Sequence, residues 1–407
     1  MKKQFCFTTL TLLIISASIS IAQTAYITNY GDSTVSVIDV ATNMVTATIP
    51  VGSYPYGVSV SQDGTKVYVA GGSVPGIVSV INTATNTVLN TITVGQNPIG
   101  ISVSPDGTKV YVEDGLAVSV INTATNTVTA TIAVAVGAWG IAVSPDGSKV
   151  YVTNYSMNGT VSVIDTVTNT VTATIPVGSD PWGIAVSPDG SKVYVANRSD
   201  GTINVINTAV NTVSNTIAVG IRPTGVCVSP DGSKVYVSNW DGFSVSVINT
   251  VSNTVSATIP VGDRPLGVSV TPDGSKVYVA KLGFSGLGNT VRVINTATNT
   301  VSDTITVGQG PIAFGNFISS FTPVGIASMN IESADISICP NPASGHFTIL
   351  LPADNAEITI TDMLGQPIIK THATQKTMNF HLEQSGVYIV FVKTKQAATT
   401  RKLIVNR

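Results

Sequence analysis

Short apolar runs, most of them alternating apolar with polar residues, recur along the first three quarters of the chain and are separated by turn-forming residues. Gly183 to Asn215 is a representative stretch: GIAVS, then Pro188-Asp189-Gly190, then KVYVAN, a variable loop, TINVIN, the turn TAVNT, and VSNTIAV. Alternation with a period of two predicts strands. Pro presets its own φ and Gly supplies a left-handed position, so PDG predicts a tight turn. The stretch therefore reads as four consecutive antiparallel strands.

The same order returns around the chain. The phrase VINTATNTV stands at 80–88, 120–128 and 293–301, and looser copies begin at Val37, Val163, Val205 and Val247. A second phrase, SPDGSKVYV with small changes, places Asp63, Asp106, Asp146, Asp189, Asp231 and Asp273 about 42 residues apart. A period near 40 built from four short strands predicts propeller blades. A lone four-stranded blade cannot bury both faces, so neighbours must cover them.

Seven copies of the nine-residue hairpin stand against six turns of this second phrase, five PDG and one QDG. The first unit begins at AYITN (25–29) without an innermost strand, and QGPIAFGNFIS (309–319) has the form of an extra one. The expectation is an all-β chain: a seven-bladed β-propeller over 23–319, one blade of which joins 25–50 to 309–319, followed by a small antiparallel β-sandwich. Residues 320–334 lose the period and read as a linker. From 335 to 407 a new pattern begins, with ISICPNPASGHFTILLP, ITITDMLGQPI, GVYIVFVKT and TRKLIV.

Composition narrows the function. Only 10% of the 407 residues are charged and the formal net charge is −2. The propeller stretch is itself acidic, with eleven Lys or Arg against sixteen Asp or Glu. Attraction to nucleic acid is excluded as a general mode. Lys2 and Lys3, the apolar stretch from Phe7 to Ile21, and Ser20-Ile21-Ala22 predict a secretory signal over 1–22, cleaved before Gln23; the rival is a retained membrane anchor, for which the apolar run is short. No other stretch is long and apolar enough to span a membrane. Cys6 lies in the predicted signal, and nothing in the spacing of Cys227 and Cys339 argues for a disulfide.

Candidate chemistry is sparse. All three histidines (346, 372 and 381) fall in the C-terminal module, so the propeller cannot hold a Ser-His-Asp triad or a histidine-ligated metal. Its one glutamate, Glu113, stands beside Asp114, a pair that can bind a cation but more often belongs to a solvated loop. No catalytic residue, metal ligand or cofactor is assigned.

VYVTN at 150–154, with AYITN, VYVAN and VYVSN, resembles the YVTN family of β-propellers found in surface-layer and other exported proteins. The resemblance implies the fold and an extracytoplasmic setting. The C-terminal stretch resembles the sorting domain of the type IX (Por) secretion system of Bacteroidetes, carried by Pro340-Asn341-Pro342, the turn at Gly365, Gly386 and Tyr388, and the pair Arg401-Lys402 before the last strand. That resemblance implies the type IX machinery as a partner, and delivery through the periplasm to the outer surface or the medium. Seven-bladed lactonases and cofactor-dependent propeller enzymes share the architecture and supply the alternative function.

Comparison among the repeats locates a candidate site. The turns SPDGS and NTATN are nearly constant and fall on one rim. On the other rim the loops vary, and variable loops on a rigid scaffold are where recognition usually resides. Tyr56, Trp139, Tyr155, Trp182 and Trp240, with Asn154, Asn239, Arg222 and Arg264, are the candidates there. Aromatic faces beside amides and guanidiniums suit a glycan or a protein ligand. The primary expectation is a non-enzymatic binding or surface-layer protein.

Overall fold

The computed structural model describes residues 23–319, apart from 73 and 136, and residues 336–406, apart from 352–355, 363–366 and 394–397. The predicted signal (1–22) and linker (320–334) lie outside the described residues. Two compact units are present.

The first unit is a seven-bladed propeller. Six blades are four-stranded antiparallel sheets spanning 58–94, 101–133, 138–176, 181–218, 223–260 and 265–306. In the remaining blade, strands Thr24–Asn29, Thr34–Asp39 and Met44–Pro50 form a three-stranded sheet. Residues 309–319 run alongside the first of these. Tyr26 donates its N–H to Phe317, Ile312 to Thr28 and Ser319 to Thr24, each at 2.9 Å, and Ala25 and Asn29 bridge Ile318 and Pro311. The same segment also borders the next blade, with Val58 donating to the carbonyl of Phe314.

Burial follows strand position. The second and third strands are buried almost throughout, and the outermost strand exposes all but two or three positions. An Ile of each outermost strand is the exception: Ile49, Ile92, Ile132, Ile175, Ile217, Ile259 and Ile305. Every second strand contributes one fully buried tyrosine (Tyr26, Tyr68, Tyr111, Tyr151, Tyr194, Tyr236 and Tyr278) to the clusters that join blades. The core is thus a set of seven blade interfaces, as a ring of stacked sheets requires.

The repeated phrase can be explained nearly letter by letter. In NTATN at 82–86, Asn82 Oδ1 accepts the N–H groups of Ala84 and Thr85. Thr83 Oγ1 donates to the carbonyl of Gly64 in the other constant turn, and Asn86 takes the left-handed position at φ 53°. Asn tolerates that conformation better than most residues. A bulge between Val80 and Ile81 accompanies it, and equivalent bulges mark the same hairpin in the other blades.

One glycine at each innermost strand sets how closely the blades approach the axis. A Cβ on Gly183 would lie 2.0 Å from the carbonyl oxygen of Thr224, and one on Gly140 2.2 Å from that of Trp182. Any side chain there would collide with the backbone of the next blade.

The second unit is a sandwich of two antiparallel sheets. One holds Ser337–Cys339, His346–Leu350 and Thr377–His381; the other holds Pro367–Ala373, Ala356–Thr361, Gly386–Lys393 and Ala398–Val405. Phe347, Ile349, Ile358, Ile360, Val390 and Leu403 fill the space between them. Asn341 Oδ1 accepts the N–H of Ile404, which ties the Pro340–Pro342 turn to the last strand. The Tyr388 hydroxyl donates to the carbonyl of Gln384. Gly386 opens its strand, and Gly365 lies outside the described residues. Arg401 and Lys402 stand inside the last strand rather than before it. The β-branched pair Thr399-Thr400 already favours extended chain ahead of them.

Candidate functional site

The two rims differ in kind. On the constant rim each Asp of the PDG turn is held by its own loop: the Ser144 hydroxyl donates to Asp146, and Ser148 donates through both its N–H and its hydroxyl. These bonds, the Ser144 hydroxyl first, hold the Asp146 carboxyl down to about 2. Asp189 and Asp231 are lowered alike. A lysine follows each turn and reaches the next blade. Lys66, Lys109, Lys149, Lys192 and Lys234 donate to the carbonyls of Thr123, Thr166, Thr208, Thr250 and Thr296, at 2.8–3.3 Å. Lys276 reaches Val40 at 2.7 Å. The repeated residues on this rim therefore fasten blade to blade.

The opposite rim gathers most of the sequence candidates. Tyr56 meets Trp139 edge-on at 6.2 Å, Trp139 meets Trp182 at 4.5 Å and Tyr155 at 5.7 Å, and Trp182 stacks on Trp240 at 6.2 Å and 27°. Tyr56, Trp139, Trp182 and Trp240, together with Leu266, Ile312 and Phe314, form an apolar cluster at the axial mouth. Arg264 lies over Trp240, its guanidinium carbon 5.6 Å from the ring centre. Arg222 pairs with Asp241 at 2.7 Å in solvent and makes no ring contact.

Three candidates are placed otherwise than a surface role requires. Asn154 and Asn239 are 2% and 0% exposed. The Asn154 amide donates to Thr160 and Ser162 and that of Asn239 to Ser244 and Ser246, so both knit the second strand to the third. This is the role of the final Asn in the YVTN phrase, and short polar side chains are suited to it. Trp182 is only 7% exposed and lies inside the aromatic cluster, with its indole N–H buried and unpartnered.

Residues that the sequence reading passed over complete the mouth. Arg198 lies 4.6 Å over Trp182. Tyr30 meets Tyr54 at 5.1 Å and Tyr56 at 6.4 Å. With Asn97, Pro98 and Ile99 these tyrosines enclose a pocket of about 190 Å³. Phe284 stacks under Arg264 at 5.0 Å. The missed signal was positional: Tyr30, Tyr155, Arg198, Trp240 and Leu282 each follow directly after the second strand of their blade.

The channel is narrow beside Phe314, where a cavity of only about 30 Å³ is lined by Gly100, Gly183, Gly225 and Gly267, and it is roomier towards the constant rim. There a cavity of about 380 Å³ is lined by small and apolar side chains such as Ser59, Ser102, Ala142, Ala185, Cys227 and Ser269. Cys227 and Cys339 are both free thiols, and burial pushes the Cys227 thiol up.

Glu113 and Asp114 do not form an open cation site. Glu113 is fully buried, accepts the N–H of Gly115, and leaves Oε2 without a partner. Desolvation raises its carboxyl to about 8, so it is mainly neutral at pH 7. Asp114 accepts the Ser119 hydroxyl and the Gly95 N–H. Among the described residues there is no group of three or more His, Cys, Asp or Glu that could hold a metal.

Fold and mouth together define a seven-bladed propeller carrying a C-terminal sorting tail. Residues 147–258 match the lactonase family of seven-bladed β-propellers, and residues 337–406 match the secretion system C-terminal sorting domain. The sorting-tail match supports secretion or cell-surface display and implies contact with the type IX machinery. Two solved structures share the fold. Kuenenia stuttgartiensis hydrazine synthase aligns with a TM-score of 0.61 at 24% identity, covering 67% of this chain and 92% of that one. A functionally unknown protein from Desulfotomaculum acetoxidans DSM 771 aligns at 0.60 and 20% identity, covering 72% and 99%. A search of curated proteins finds no match. No helix among the described residues is long and apolar enough to cross a membrane.

Proposed function

We propose that the protein is a secreted or cell-surface propeller of the YVTN, surface-layer-like kind that binds a glycan or protein ligand through its variable rim and performs no catalysis. In this reading residues 1–22 direct export to the periplasm and residues 335–407 direct passage across the outer membrane. The observation that carries the reading is the run of touching aromatic rings from Tyr54 to Trp240 across the variable rim. The opposite rim repeats one set of fastening bonds from blade to blade. Loop strain is consistent with it. Tyr54, Asp180, Arg222 and Arg264 occupy left-handed backbone at φ 43–53°, where Gly would be unstrained. The test is a glycan and protein array probed with the purified chain. Binding that is lost in Trp139→Ala supports the rim, and binding that survives the loss of every exposed rim aromatic rejects it.

The lactonase match over 147–258 favours a second reading, a secreted lactone hydrolase. Turnover of a lactone panel by the purified chain would establish it and displace the first.

A further inference from the structure

Two guanidinium groups at the aromatic mouth form no salt bridge among the described residues. Arg198 and Arg264 each keep a buried, unpartnered Nε, and each lies over a tryptophan of the stacked Trp182–Trp240 pair. Arg222, by contrast, is neutralised by Asp241. The two carboxylates flanking Arg198 bond across the pair of loops that meet there: Asp180 accepts the Ser199 hydroxyl, and Asp200 accepts the Ser179 N–H. An aromatic face holds a guanidinium in one orientation and leaves its edge free. That edge presents parallel N–H donors whose geometry matches a carboxylate.

The tyrosine pocket supplies the second half of a site. Tyr56 lines it and also feels the Arg198 charge, which acts against the rise that burial imposes on the Tyr56 hydroxyl. Tyr30 and Tyr54 remain 38% and 51% exposed, presenting ring faces and phenols together. A flat amphipathic ring with hydroxyl groups fits such walls. An extended peptide instead gains its main-chain bonds from a free sheet edge, and the innermost strands at this mouth are already paired on both sides near 312–314.

We propose that the variable rim binds a carboxylated sugar, a uronate unit whose ring sits among Tyr30, Tyr54 and Tyr56 while Arg198 and Arg264 take its carboxylate or that of the next unit. This rests on the binding reading above and specifies its ligand class.

The probes are trigalacturonate, trimannuronate, their methyl esters and hexaglutamate, titrated calorimetrically against the full chain. At least one uronate trimer binds, and its methyl ester binds at least tenfold more weakly. Arg198→Met and Arg264→Met each lose tenfold or more with unchanged melting temperature, Arg198→Lys loses less, and Arg222→Met binds normally. Equal binding of acid and ester, tighter binding of hexaglutamate, or no binding of either trimer would overturn the proposal. Should the array yield a neutral glycan whose binding is lost in Trp139→Ala but kept in both Arg→Met variants, the uronate class is refuted while the rim reading stands.

Discussion

Ala313 donates its backbone N–H to the hydroxyl of Thr28 at 2.8 Å, although 285 positions separate them. That bond belongs to the seam where the last part of the propeller sequence lies against the first. The same segment buries Ile312, Phe314, Phe317 and Ile318. Burying each such side chain is worth about 1.5–3 kcal/mol, so together they rival the net stability of a typical domain. We therefore predict that a chain ending at Gly308 melts far below the intact propeller or fails to fold, with an exposed blade edge that promotes aggregation. Equal melting temperatures would show that 309–319 does not close the ring.

Gly183, in the innermost strand Pro181–Val186, gives a second test. Gly183→Ala places a methyl group 2.0 Å from the Thr224 carbonyl oxygen, and overpacking against backbone costs about 1–3 kcal/mol or more. The melting temperature should fall by several degrees. An unchanged value would mean that neighbouring blades yield easily.

Glu113 predicts an inverted pH response. Its folded carboxyl is raised by desolvation to about 8 from an ordinary value near 4.5. A raised carboxyl contributes fully to stability below its unfolded value and loses that contribution as pH rises towards 8. Glu113→Gln keeps the shape without the charge. It should match the parent at pH 4 and melt higher at pH 9, and a parent that is the more stable at pH 9 would contradict the assignment.

The sorting tail is tested by fractionation. Deleting 335–407 should leave the folded propeller in the periplasm, because the two units have separate cores. Surface delivery without that segment would remove its role.

The architecture was legible because folding constrains the repeated positions. The fixed spacing of the PDG turns and hairpins revealed the blades, and 309–319 stood out as a strand without a partner. The mouth was only partly legible. Tyr56, Trp139, Trp182 and Trp240 could be placed on one rim by counting, but sequence could not say which rings cover one another, and Trp182 proved to be interior. Asn154 and Asn239 looked like surface amides because their bonds to the third strand depend on register. Arg198 was overlooked since its loop, RSDG, reads as an ordinary polar turn, and only geometry sets it over Trp182.

We propose that the variable rim recognises a ligand while the constant rim fastens the blades. It is tested by measuring, for a ligand taken from the array, the dissociation constant and the melting temperature of two variant sets. Trp139→Ala and Trp240→Ala, which are partly exposed, should weaken binding by about 1–3 kcal/mol, roughly ten- to a hundredfold, with little change in melting. Lys149→Met and Asn169→Ala on the constant rim, together with the buried Trp182→Ala, should lower the melting temperature; the two constant-rim variants should leave affinity unchanged. If instead the exposed tryptophan variants bind normally and melt early, those rings are blade packing and the claim is wrong.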